Sequence, residues 1–95
     1  MSPKNIKKLK ELRKSLDKLD NLFINLIKKR TAIVKEVLKL KENKNQIVDK
    51  KRIKKILRNI KIKSQRRNLD ARITNEIWKS MIRAYIKYEF RNFRK

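Results

Sequence analysis

Arg30, Lys41 and Glu89 are charged residues at helical positions where apolar residues belong. Leu9, Leu12, Leu16, Leu19, Phe23, Leu26, Arg30, Ile33 and Val37 follow one another at alternating steps of three and four. That spacing is the apolar seam of a long amphipathic helix with coiled-coil character. A charge in such a seam is costly unless something pairs with it. The residues three and four away from Arg30 are Leu26, Ile27, Ile33 and Val34, and none is acidic. Lys41 continues the seam four residues past Val37, and its helical neighbours Val37, Leu38, Lys44 and Asn45 include no acid either. Glu89 has Tyr85, Ile86, Asn92 and Phe93 at helical spacing, and no base. Each of the three could instead be an exposed charge on a helix surface or end, but their coincidence favours a site.

The chemistry open to such a set is narrow. It offers cationic donors and one desolvated carboxyl in an otherwise apolar cleft between helices. The chain has no His and no Cys, and no acidic cluster suited to a metal, so nucleophilic and metal-assisted routes are disfavoured. A site of this kind can bind a small polyanion and hold its shape. It can catalyse a reaction that needs only orientation and charge stabilisation, and a unimolecular rearrangement fits that limit. Two other cations are ambiguous from spacing. Arg13 has Asp17 four residues on, and Arg52 has Asp49 three residues back, so either could be an ordinary surface ion pair. Trp78 and Met81 read as core.

The elements that must position these residues are helical. The sequence contains no Gly and a single Pro, Pro3, which leaves little for β-turns. Ser2 before Pro3 supplies a capping hydroxyl and a first-turn proline. The seam then runs unbroken to about Lys41, a helix of about 57 Å at 1.5 Å per residue. A compact domain of this size has a radius of gyration of only ~12–13 Å, so the seam needs a second copy, and a homodimer is expected. The polar stretch ENKNQIV, 42–48, reads as a loop. Asp49 caps a second helix whose face is Ile53, Ile56, Leu57 and Ile60, and KSQRRN, 63–68, reads as a second loop. Leu69-Asp70-Ala71 looks like a helix entry with Asp70 as cap. The third helix carries Ile73, Ile77, Trp78, Met81, Ile82, Tyr85 and Ile86 to about Phe90 or beyond, and RNFRK is expected to fray. The fold class is therefore all-α: one long, one short and one medium helix in a single domain over 1–95.

Charge is the loudest compositional feature, with 31 Lys and Arg against 9 Asp and Glu, formally +22. That invites a nucleic-acid reading. Against it, Lys, Ile and Asn are all encoded by AT-rich codons, and Lys outnumbers Arg, whose fork grips phosphate better. Nucleic acid is the disfavoured partner, and a positive surface would equally steer a small dianion. No apolar run is long enough to span a bilayer and no signal-peptide pattern opens the chain, so a cytoplasmic protein without membrane contact is expected.

Taken in order, LRKSLDKLDNLFINLIKKRTAIVKEVLKLK, VDKKR, the LDA entry and IWKSMIRAYIKYE resemble the all-α, intertwined-dimer class of chorismate mutase, from about Leu9 to Glu89. The resemblance implies a Claisen rearrangement of chorismate to prephenate, a step towards Phe and Tyr, in a homodimer with two equivalent sites and no cofactor. It implies that Arg13 enters the other subunit's site and, with Arg30, grips the substrate carboxylates. Lys41 would reach a carboxylate and the ether oxygen, Asp49 and Arg52 would open the second helix at the site, and Glu89 would lie opposite Lys41. There are departures. Ile53 stands where many members have a glutamate that meets the substrate hydroxyl. Tyr85 replaces a small hydroxyl residue, and Glu89 replaces a common glutamine. A carboxylate donates to the ether oxygen only when protonated, so the protonated form of Glu89 is expected to be the active one. Two other readings stay open. One is isochorismate-pyruvate lyase on the same scaffold; the other is a basic helical dimer that coats nucleic acid.

Overall fold

The computed structural model describes residues 1–94. Three helices follow one another: α1 (Pro3–Leu40), α2 (Lys50–Arg66) and α3 (Ala71–Asn92), with a 3-10 turn at Lys44–Gln46 between the first two. The all-α reading and the one-long, two-shorter pattern hold. By contact the chain divides into two compact units, Met1–Val34 and Lys35–Lys95.

The first unit is the greater part of α1. Ser2 opens it as expected, with its Oγ accepting from the Asn5 N–H at 3.2 Å and its carbonyl from Ile6 at 2.9 Å. No Gly or Pro interrupts the helix after Pro3, so nothing breaks the backbone ladder. The seam is exposed along its length: Leu12, Leu16, Leu19, Phe23 and Leu26 are each more than half accessible. A helix with an uncovered apolar stripe is incomplete as a folded object.

The second unit holds the last turns of α1, the connecting loop, α2 and α3. Its most buried apolar residues are Leu38 on α1 and Ile47 in the loop. α2 and α3 pack on each other, through half-buried Ile53, Ile56, Leu57 and Ile60 on one side and Trp78, Met81, Ile82, Tyr85 and Ile86 on the other. Ile73 and Ile77, expected on the same face, are about half exposed. Near the connection, buried Ser64 and Thr74 join the helices with Oγ and Oγ1 2.7 Å apart. Ser64 Oγ also lies 2.7 Å from the Ile60 carbonyl, and Thr74 Oγ1 lies 3.2 Å from that of Ala71. Two hydroxyls have two protons for these three contacts. The short distances assign the Ser64 proton to Ile60 and the Thr74 proton to Ser64.

That inward hydroxyl explains why α2 outruns its expected end. KSQRRN reads as a loop because every residue in it is polar. Ser64, however, faces the core, and the helix continues to Arg66. It stops in a Schellman arrangement: Leu69 N–H bonds to Ser64 O at 2.9 Å, and Asn68 N–H to Gln65 O at 3.2 Å. Asn68 takes φ 54° there, the left-handed position that glycine usually fills and that asparagine tolerates. In a chain without glycine, Asn68 does that work. Asn68→Val is expected to lower stability by about 1–2 kcal/mol, whereas Asn68→Gly should match or slightly exceed wild type. Urea melts at one fixed protein concentration would measure this, and a Val variant as stable as wild type would count against the turn's role.

Asp70 caps α3 as expected, its Oδ1 accepting from the Arg72 N–H at 2.9 Å. The Arg72 guanidinium also donates to both carboxylate oxygens, at 3.1 and 3.0 Å. The guanidinium first, and the backbone N–H second, hold the Asp70 carboxyl below its usual range. α3 runs through Asn92, whose Nδ2 donates to Tyr88 O at 2.8 Å, so the stretch expected to fray is helical at Arg91 and Asn92. Lys95 lies outside the described residues.

Candidate active site

The site is built where α1 ends. Lys41 is the first residue past the helix, with its N–H bonded to Leu38 O at 3.1 Å. From there the side chain turns inward. Its Nζ lies 2.8 Å from Glu89 Oε1 on α3. The two side chains are only 18% and 9% accessible, and no buried side-chain nitrogen or oxygen among the described residues lacks a hydrogen-bond partner. Two of the three residues without oppositely charged helical neighbours, Lys41 and Glu89, are thus each other's partners, across 48 positions of sequence. A short charge-assisted bond with little water around it is the strong kind, and removing one member of a buried pair is far costlier than removing a surface pair.

Lys41 Nζ has a second acceptor, the carbonyl of Ile47, at 3.5 Å. Ile47 is itself only 3% exposed. The loop carrying that carbonyl is closed by its own side chains. Asn43 Oδ1 accepts from the Asn45 N–H at 3.0 Å. Gln46 Oε1 reaches back to the N–H groups of Glu42 at 2.6 Å and Asn43 at 3.4 Å. This is a capping box on a single 3-10 turn. In sequence, ENKNQIV reads as a plain polar loop in which Asn43 and Gln46 do not stand out. The signal was present, an Asn followed three residues later by Gln, but with no apolar helical run behind it.

Asp49 sits just beyond, as the cap of α2. Its Oδ1 accepts from the Arg52 N–H at 3.0 Å, so Asp49 is the expected cap, and its spacing to Arg52 is that of a cap. Both residues are exposed. An open groove of about 640 Å³ runs along this part of the second unit, lined by Val37, Leu40, Lys41, Gln46, Val48 and Asp49 among others. It places Lys41 and Asp49 on one wall system, apolar on the α1 side and polar on the loop side. Tyr85 is half-buried one turn before Glu89 on α3, and Ile53 is half-buried on α2. Arg13 and Arg30 belong to the first unit and are exposed on α1. The second unit thus brings together Lys41, Glu89 and, along the groove, Asp49.

The arrangement can present an ammonium from a fixed direction, beside a carboxyl, at the edge of an apolar cleft. No helix among the described residues is long and apolar enough to cross a membrane. Neither the curated proteins nor the solved structures contain a match to the chain. The sequence profile of the family described as "Chorismate mutase type II" matches residues 12–90, a span that contains Arg13, Arg30, Lys41, Asp49, Arg52, Tyr85 and Glu89. The chain therefore belongs to the chorismate mutase type II family, the isomerases that convert chorismate into prephenate.

Proposed function

We propose that the chain performs this rearrangement as an intertwined homodimer, each site formed by Arg30, Lys41, Asp49, Arg52 and Glu89 of one subunit and Arg13 of the other. The observation that carries the reading is the Lys41–Glu89 pair, a cation and an acid held 2.8 Å apart at the end of α1. The exposed seam of α1 supports the dimer, because a second copy laid along it would cover the apolar stripe.

The reaction breaks a C–O bond while forming a C–C bond, within one molecule and with no net proton transfer. Negative charge grows on the ether oxygen as the bond lengthens. Donors aimed there bind the transition state more tightly than the ground state. Arg13 and Arg30, each a planar fork that matches a carboxylate, would pin the two carboxylates and hold the chair-like conformer. Lys41 would donate to a carboxylate and to the ether oxygen. Asp49 fixes the first turn of α2, which sets the place of Arg52. Tyr85 would close the α3 side, and Ile53 offers nothing to a substrate hydroxyl. The residues themselves supply the charge, without covalent intermediate, metal or cofactor.

Glu89 in the substrate-free structure accepts from Lys41. In the bound state it would have to donate to the ether oxygen, which requires its proton. Glu89→Gln, which carries a permanent donor at that position, is therefore expected to keep or raise kcat on chorismate, whereas Glu89→Leu, which has no donor, should lose most of it. A Leu variant as active as wild type would remove Glu89 from the reaction. The reading as a whole is tested by loss of chorismate absorbance with purified protein and confirmation of prephenate as product. An enzyme inert to chorismate but active on isochorismate would move it to the lyase.

A further inference from the structure

We propose that Gln46 is a positioning residue for Lys41, acting through the loop that it closes; this rests on Lys41 working at the substrate. Lys41 lies one residue past α1, held to it by the N–H bond to Leu38 O, so its direction is not set by α1 alone. The peptide group that joins it to Glu42 is instead fixed by Gln46 Oε1, which accepts the Glu42 N–H at 2.6 Å and also reaches the Asn43 N–H. The same residue begins the path to the second acceptor of the ammonium. Its own N–H bonds to Asn43 O at 3.2 Å, and the next carbonyl, that of buried Ile47, meets Lys41 Nζ.

Gln46 therefore ties both ends of the lysine, the backbone behind it and the carbonyl in front of it. The Asn43 side chain acts within the turn, on the N–H groups of Asn45 and Gln46, and does not reach the Glu42 N–H. The consequence appears during reaction. An ammonium has three donors, and Glu89 and Ile47 accept two of them. When the Glu89 carboxyl donates to the ether oxygen it is neutral, and its hold on Lys41 weakens. The Ile47 carbonyl then carries more of that hold; its own N–H bonds to Lys44 O at 3.1 Å, and the Gln46 clasp closes the turn on which that bond depends. A reacting group displaced by about 1 Å can cost two decades in rate, so a loosened loop should be read in kcat.

The test compares wild type with Gln46→Met, which keeps length and removes the amide, and with Gln46→Glu, which keeps an acceptor oxygen in the position where capping boxes use Gln or Glu alike. Chorismate turnover and amide hydrogen exchange at Glu42 are measured on all three. In Gln46→Met, kcat is expected to fall about tenfold or more while KM shifts less than about threefold, and the Glu42 amide should exchange faster. Gln46→Glu should recover most of the kcat and the slow exchange. A Met variant with wild-type kcat would overturn the proposal. So would a Glu variant as slow as Met, because it would make the amide itself, rather than the clasp, the active feature. A wild type inert to chorismate would end the reading of Lys41 and this role with it. That outcome is told apart from failure of the clasp because the exchange difference at Glu42 would persist.

Discussion

Arg30→Ala is expected to lower kcat/KM for chorismate by about thirtyfold or more, without unfolding the protein. A carboxylate that loses its bidentate partner in a largely desolvated site forfeits on the order of 2–5 kcal/mol, and 1.36 kcal/mol is a decade in rate. Arg30→Lys should recover part of the loss only, since an ammonium keeps the charge and gives up the fork. Arg30→Leu sharpens the case. It completes the apolar seam running from Leu26 to Ile33, so its Tm should equal or exceed that of wild type while turnover is lost. A residue kept against the interest of stability is one that function needs. Steady-state kinetics and circular dichroism melts on the three variants decide the matter. If Arg30→Ala keeps its activity within about threefold, far short of the cost of a lost carboxylate clasp, Arg30 does not touch substrate.

The second large effect concerns assembly. Phe23 lies in the middle of the seam and is 55% exposed in the single chain. In a dimer built along that seam each copy of Phe23 would be buried, and a fully buried Phe side chain contributes about 1.5–3 kcal/mol. Phe23→Ala removes two such side chains per dimer. The expected weakening is on the order of 5 kcal/mol, between three and four decades in the dissociation constant. Sedimentation velocity over a dilution series should show a dimer for wild type and a monomer–dimer mixture for the variant at the same concentration. Specific activity of the variant should then rise with protein concentration, because a site that borrows Arg13 exists only in the dimer. A wild type that sediments as a monomer and still turns over chorismate would exclude the shared site.

Much of this was legible in the chain because helices announce themselves locally. Ser2-Pro3, the three-and-four spacing of the seam, Asp49 and Asp70 each act over one or two turns, and local physics fixes their outcome. The lengths of the later elements were less legible. The polar run 63–68 hid a helical end, because whether Ser64 faces water or Thr74 depends on a residue ten positions away. The Asn43–Gln46 clasp is hidden for a related reason: what it does depends on the Ile47 carbonyl that meets Lys41, and that is a matter of tertiary placement.

The sequence by itself determined that the chain is helical, that its long seam is too apolar to stand alone, and that Arg30, Lys41 and Glu89 lack oppositely charged neighbours on their own helices. Those are properties of spacing, and spacing is written in the chain. Only the tertiary structure decided that Lys41 and Glu89 answer each other. Nothing in the order of residues brings position 41 to position 89. The packing of α3 on α2, the closure of the loop on Gln46, and the burial that makes an ammonium and a carboxyl prefer each other to water do so together.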